Sequence, residues 1–336
     1  MSVPPQEAIT LFAPAASTAF GTSIAAALGI SLSHHEEQVF TGGECKMRPL
    51  ESVRGRAVYV VQSLFGDAFG SANDRLCQLL FFIGALKDAG ATRVTACVPY
   101  LAYARQDRHT EPRDPVTTRY VAQLFEAMGV ERVLALEVHN PAAFDNAFRC
   151  ETIHLDAAAA FVRHFAANSA AQEFAVASPD IGGAKRARRF QELLQATIGR
   201  SVNFALMDKK RSQGIVSGTL FAGDVAGRFV VILDDLISSG TTVLRAVSAC
   251  RRAGASRVAV AATHASFSPE AQRLFDAGEA AADRPDSVIV TDSVPLGEGF
   301  SAHLNGSLTV LSIAPVFADA IRALELHDPT PRLFSQ

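Results

Sequence analysis

Residues 249–258 read ACRRAGASRV, and close variants of this stretch recur as LKDAGATRV at 86–94 and LFEAMGVERV at 124–133. In each, an apolar-periodic helix stops at a glycine, Gly90, Gly129 or Gly254. Glycine suits the left-handed position that ends a helix. An Arg-Val pair then opens an apolar run, VTACVPY, VLALEVH or VAVAATH. Uninterrupted apolar runs of this length suit strands covered on both faces, as in a parallel sheet between helices. Working outward, further strands are expected at 57–62, 174–179, 203–208, 229–234, 288–292 and 308–313. Helical patterns occupy 72–89, 117–128, 157–166, 183–197, 241–253, 268–277 and 315–325. Alternating strands and helices predict an α/β doubly wound fold. Because the cassette occurs in both halves, two similar α/β domains dividing near residue 153 are expected.

The chain has 336 residues, long enough for two cores, and 49% of them are hydrophobic against 19% charged. A net charge of −3, with no long basic block, argues against nucleic acid as a partner. Five scattered cysteines without a CxxC pair fit a reducing cytoplasm. Residues 8–33 carry no charge, but Pro14 and Gly21 interrupt them and no basic region precedes them. They read as a strand over 9–13 and a helix ending near Gly29, not as a signal peptide or membrane segment. The Ala-rich acidic stretch 277–286 reads as a surface loop.

In open α/β sheets, ligands bind beyond the carboxyl ends of the strands. The segment VVILDDLISSGTTV, 230–243, places chemistry there. A strand ends in Asp234 and Asp235, and a helix begins near Thr242. Unpaired N–H groups at a helix start receive phosphate, and Gly240 lets the backbone approach. Ser238, Ser239, Thr241 and Thr242 add hydroxyls, while the two acids can accept from vicinal hydroxyls. A sugar phosphate offers both partners; a plain N-cap with exposed acids is the alternative. Elsewhere, Arg105, Gln106, Asp107 and Arg108 follow a strand, and paired guanidiniums suit a polyphosphate. His139 ends the run VLALEVH. Asp180 follows another strand in SPDIGGAKRAR, where Lys185, Arg186 and Arg188 could equally form a basic helical face. The cations of MDKKRSQG, 207–214, suggest a mobile basic loop.

Segment 230–243 resembles the ribose-phosphate-binding motif of the phosphoribosyltransferase fold. The stretch YARQDR, with the downstream RDPVTT, resembles the corresponding element of ribose-phosphate pyrophosphokinases. Similarity to that family extends to VFTGGE (39–44), SPDIGG, MDKKR, ATHASFS (262–268) and the final SIAPVFADAIRAL (312–324). The resemblance implies two phosphoribosyltransferase-type domains. One comprises residues 1–153 plus 312–336 on the ATP side, and the other residues 154–311 on the ribose 5-phosphate side. It implies that Arg105, Gln106, Asp107 and Arg108 contact ATP, with Phe40 and Glu44 lent to the adenine site of a neighbouring subunit. It implies a magnesium complex at His139 and Asp180, and transition-state neutralisation by Lys209 and Arg211. Asp234, Asp235, Ser238, Ser239, Gly240, Thr241 and Thr242 would hold ribose 5-phosphate. The expected partners are ATP, ribose 5-phosphate and further copies of the chain, as a dimer or a larger oligomer such as a hexamer. Departures from the family pattern fall at Gly42, Glu137, Lys210, Ser212-Gln213 and Ser238. Two rival readings are a nucleobase phosphoribosyltransferase and a non-catalytic paralogue that binds active subunits.

Overall fold

In the computed structural model, the described residues are 9–167, 169, 172–212, 215–268, 271, 284–297 and 307–326; side chains are not described over 208–220. Two units are found, one within Met1–Asp156 and Ile313–Gln336 and the other within Ala157–Ser312. The first unit ends at Asp156, just past the strand Glu151–Leu155, which pairs with its neighbour. Most of the expected helix at 268–277 and of the loop at 277–286 lies outside the described residues.

The first unit contains β1 (Thr10–Phe12), α1 (Thr18–Leu28), β2 (His35–Val39), β3 (Cys45–Pro49), β4 (Ala57–Val61) and α2 (Ala72–Asp88). It continues with β5 (Arg93–Val98), α3 (Thr117–Ala127), β6 (Arg132–Leu136), α4 (Pro141–Ala147) and β7 (Glu151–Leu155). The returning α8 (Ala314–Glu325) completes it. Strands β1, β4, β5, β6 and β7 form a parallel sheet in the order β1-β4-β5-β6-β7. Val58, Val60, Val94, Ala96, Val133 and Ala135 carry one face into a core with α2 and α3. On α8, Phe317 packs edge-to-face on Phe20 of α1 with ring centroids 5.6 Å apart. Glu325 accepts the Tyr59 hydroxyl at 2.6 Å. Helix α2 starts with a capping box between Ser71 and Asp74, which satisfies orphan N–H groups at both positions.

The second unit contains α5 (Ala158–Ala166), β8 (Phe174–Ser178), α6 (Ala184–Ile198), β9 (Asn203–Ser212), β10 (Ile215–Ala222) and β11 (Phe229–Ile237). Then come α7 (Thr241–Arg252), β12 (Arg257–Ala265), β13 (Ser287–Thr291) and β14 (Leu308–Leu311). Its sheet runs β10-β9-β8-β11-β12-β13-β14, parallel except for the β9–β10 hairpin at one edge. The three cassette glycines have φ of 93°, 83° and 88°, so each ends its helix in the conformation that glycine tolerates best.

Candidate active site

The central strand β11 carries the acids. It does not stop at them: pairing with β12 continues through Leu236↔His264 and Ile237↔Ala265. Successive strand residues alternate faces, yet the Asp234 and Asp235 carboxyls lie close enough to interact directly. Asp235 is buried, and Arg186 of α6 lies 3.7 Å from its carboxylate. Asp234 is half-buried, and its Oδ1 accepts the Asp235 N–H at 2.8 Å. Burial, followed by the adjacent Asp235 carboxylate, pushes the Asp234 carboxyl well above its ordinary range. The turn after β11 exposes Ser238 and Ser239. Gly240 has φ of 78° and caps α7, which begins at Thr241. The Ser239 and Thr241 hydroxyls are 3.3 Å apart, so the turn gathers hydroxyls at the start of a twelve-residue helix, a place suited to anions.

Asp180 occupies the neighbouring strand end. Ser178 Oγ donates to its carbonyl at 2.7 Å, and its Oδ1 accepts the Gly183 N–H at 3.0 Å as α6 begins. A Cβ on Gly183 would lie 3.0 Å from Ser178 Oγ, so a side chain there would disturb this turn. Lys209 and Arg211 lie in β9, paired with Thr219 and Val216 of β10. The expected basic loop is therefore a strand through Ser212, because the backbone finds an antiparallel partner that a charged run does not advertise. The side chains of Lys209 and Arg211 lie outside the described ones.

In the first unit, two strand-end loops are joined. Asn140 Nδ2 donates to Asp107 Oδ2 at 2.7 Å, linking the Arg-rich loop after β5 to the segment after β6. Asn140 also caps α4 by accepting the Ala143 N–H at 3.2 Å. His139 is its exposed neighbour. Glu137 is buried with φ of 42°, and its N–H donates to Leu155 O at 2.9 Å. A non-glycine residue in this region costs on the order of 1–3 kcal/mol, and such strain clusters at functional sites. Arg105, Gln106 and Arg108 are exposed, while Gln106 Oε1 accepts from Thr117 Oγ1 at 2.5 Å. Phe40 and Glu44 flank the exposed tip of the β2–β3 hairpin, closed by Phe40 N–H to Glu44 O at 2.8 Å.

Arg186 and Asn140 are contacts that the sequence reading did not assign. Arg186 stood within a noted basic stretch, and Asn140 precedes Pro141, an N-cap signal. Among the described residues, no three His, Cys, Asp or Glu side chains gather as a metal cage. Magnesium commonly takes one or two protein carboxylates and completes its shell with water and substrate phosphates. Asp180, held by Gly183, suits that role; an imidazole such as that of His139 is a poor magnesium ligand.

These two α/β units, with mainly parallel sheets flanked by helices, define a protein of the phosphoribosyltransferase fold class. Residues 9–129 match the N-terminal domain of ribose phosphate pyrophosphokinase, and residues 195–335 match the phosphoribosyl synthetase-associated domain. A ribose-phosphate pyrophosphokinase of Wolinella succinogenes is 34% identical over 325 residues, covering 96% of this chain and 98% of the relative. One from Caldanaerobacter subterraneus is 35% identical over 309 residues, covering 91% of each. The crystal structure of phosphoribosylpyrophosphate synthetase from Mycobacterium smegmatis superposes with a TM-score of 0.82 at 31% identity, covering 95% of this chain and 99% of that one. The chain belongs to the ribose-phosphate pyrophosphokinase family.

Proposed function

We propose that the protein converts ATP and ribose 5-phosphate to 5-phosphoribosyl 1-diphosphate and AMP. The observation that carries this reading is the acid pair near the carboxyl end of β11, followed by the Gly240-capped turn. In this reading Asp234 and Asp235 accept from the ribose hydroxyls, and residues 238–242 receive the 5-phosphate. Arg105, Gln106, Asp107 and Arg108 take the nucleotide, completed by Phe40 and Glu44 of a second copy. A phenylalanine can stack on a purine, and a carboxylate can accept from its amino group. The sugar 1-hydroxyl attacks the β-phosphorus of ATP; its bond to that phosphorus forms as the bond to the AMP oxygen breaks. The proton of the hydroxyl leaves to solvent. Lys209 and Arg211 neutralise charge on the transferred group, and His139 donates to the nucleotide phosphates. Bound magnesium, held by Asp180 and substrate oxygens, would neutralise phosphate charge.

Such transfers depend mainly on positioning and electrostatic stabilisation. Losing one charge contact costs about 2–4 kcal/mol of barrier, or roughly 30- to 1000-fold in rate. A coupled assay for AMP therefore tests the reading with the wild type and Lys209→Ala. AMP formation slowed to that extent by the substitution supports it. Equal rates in the two proteins would remove Lys209 from the mechanism, and a wild type making no AMP would overturn the reaction.

A further inference from the structure

Beyond the residues that face a sugar phosphate, the second unit contains a buried polar cluster at the carboxyl ends of β12 and β13. His264 is 3% exposed, and its Nδ1 lies 2.9 Å from Ser293 Oγ. Ser293 Oγ donates to Thr263 O at 3.0 Å, and Thr291 Oγ1 donates to the same carbonyl at 2.7 Å. The Ser293 N–H donates to Thr291 Oγ1 at 3.2 Å. His264 Nδ1 and the Ser293 hydroxyl share one hydrogen bond, its donor set by the imidazole tautomer. Such a buried polar network fixes a strand end more tightly than apolar packing, because rotating a member breaks hydrogen bonds away from water.

This strand end adjoins the acid pair and the turn. The registers Asp234↔Ala262 and Leu236↔His264 put Asp234 and His264 on one face of the sheet. The chain leaving β12 turns back at once, and the Ser268 N–H donates to Ser238 O at 3.1 Å. In a trans peptide the carbonyl and the following N–H point in opposite directions. Capturing the Ser238 carbonyl therefore turns the Ser239 N–H away from Ser268. It also keeps a partial negative charge from facing an anion in the turn.

We propose that His264 and Ser293 are positioning residues for the sugar-phosphate site: they lock the end of β12, so that Ser268 holds the 238–239 peptide with its N–H directed at the 5-phosphate. This inference rests on the sugar-phosphate reading of residues 234–242. The test titrates the full-length protein directly with ribose 5-phosphate and, separately, measures KM for each substrate in AMP formation. Ser293→Ala and His264→Leu are expected to weaken ribose 5-phosphate binding about tenfold, leaving the ATP KM within twofold of wild type. His264→Asn, whose amide can donate near the Nδ1 position, should recover most of the loss. Circular dichroism at the assay temperature shows that each variant is folded.

Unchanged ribose 5-phosphate affinity in folded Ser293→Ala would overturn the proposal, as would equal losses for both substrates or no recovery with His264→Asn. Should Ser293→Ala fail to fold, the His264→Leu and His264→Asn pair decides by the same criteria. Wild-type binding of ribose 5-phosphate without AMP formation would defeat the proposed reaction and leave this inference to the titration. A wild type that binds no ribose 5-phosphate would overturn both.

Discussion

Replacing Asp234 with asparagine should raise stability and weaken ligand binding together. The folded protein raises the Asp234 carboxyl through burial and through the Asp235 carboxylate beside it. The folded state therefore keeps a proton over a pH window in which the unfolded chain, with a carboxyl near ~3.9, has released it. Stability falls as pH rises through that window and levels off above it. Two adjacent carboxylates repel by a few kcal/mol at an effective dielectric of about 20, on the order of 4 kcal/mol at about 4 Å. Arg186, 3.7 Å from Asp235, offsets part of this, and solvent at the half-exposed Asp234 screens more. We take the net cost as about 1 kcal/mol.

The asparagine Oδ1 can still accept the Asp235 N–H. Asp234→Asn should thus raise the apparent Tm by about 2–4 °C at pH 7.5, with the gain shrinking toward pH 4. Loss of a hydrogen bond to a charged acceptor costs about 1.5–3 kcal/mol, so ribose 5-phosphate should bind roughly 10- to 100-fold more weakly. Thermal unfolding across pH and titration of the sugar phosphate read the two effects. A variant less stable than wild type at pH 7.5, or one with wild-type sugar-phosphate affinity, would refute the reasoning.

Two other substitutions probe the first unit. Asn140→Ser keeps an N-cap for α4 but cannot reach Asp107, so Tm should change by less than about 2 °C while the ATP KM rises several-fold; Asn140→Ala should also cost about 1 kcal/mol of stability, read by denaturant unfolding. Gln62 is 0% exposed, and both its side-chain polar atoms lack a hydrogen-bond partner among the described residues. Gln62→Leu should stabilise the protein by about 1–3 kcal/mol in urea unfolding; a loss of stability would mean that the amide has a partner in solution.

The two sheets were legible because their signals are local. Each cassette places a helix-ending glycine a few residues before a run of buried strand, and Val94, Val133 and Val258 are fully buried in that role. The acid pair and the hydroxyl-rich turn capped by Gly240 were legible for the same reason, since they occupy one short run of chain. Other elements depend on distant partners. β2, HEEQV, has little apolar character and is fixed by pairing with β3, whose Met47 is buried. β10 and the far end of β9 define each other, so the cations at 209–211 concealed a strand. β7 has only Ile153 and Leu155 buried, too short a pattern to stand out. The acids did not end β11 because pairing with β12 holds two further residues, Leu236 and Ile237. Arg186 and Asn140 acquire their roles from partners 49 and 33 residues away, a proximity that spacing along the chain does not encode.

The most direct test of diphosphoryl transfer is ³¹P NMR of the full-length protein with ATP, ribose 5-phosphate and magnesium. The account predicts that AMP and a sugar diphosphate ester appear in equal amounts, each requiring both substrates. Formation of ADP without AMP, or AMP released with free pyrophosphate and no new ester, would contradict it.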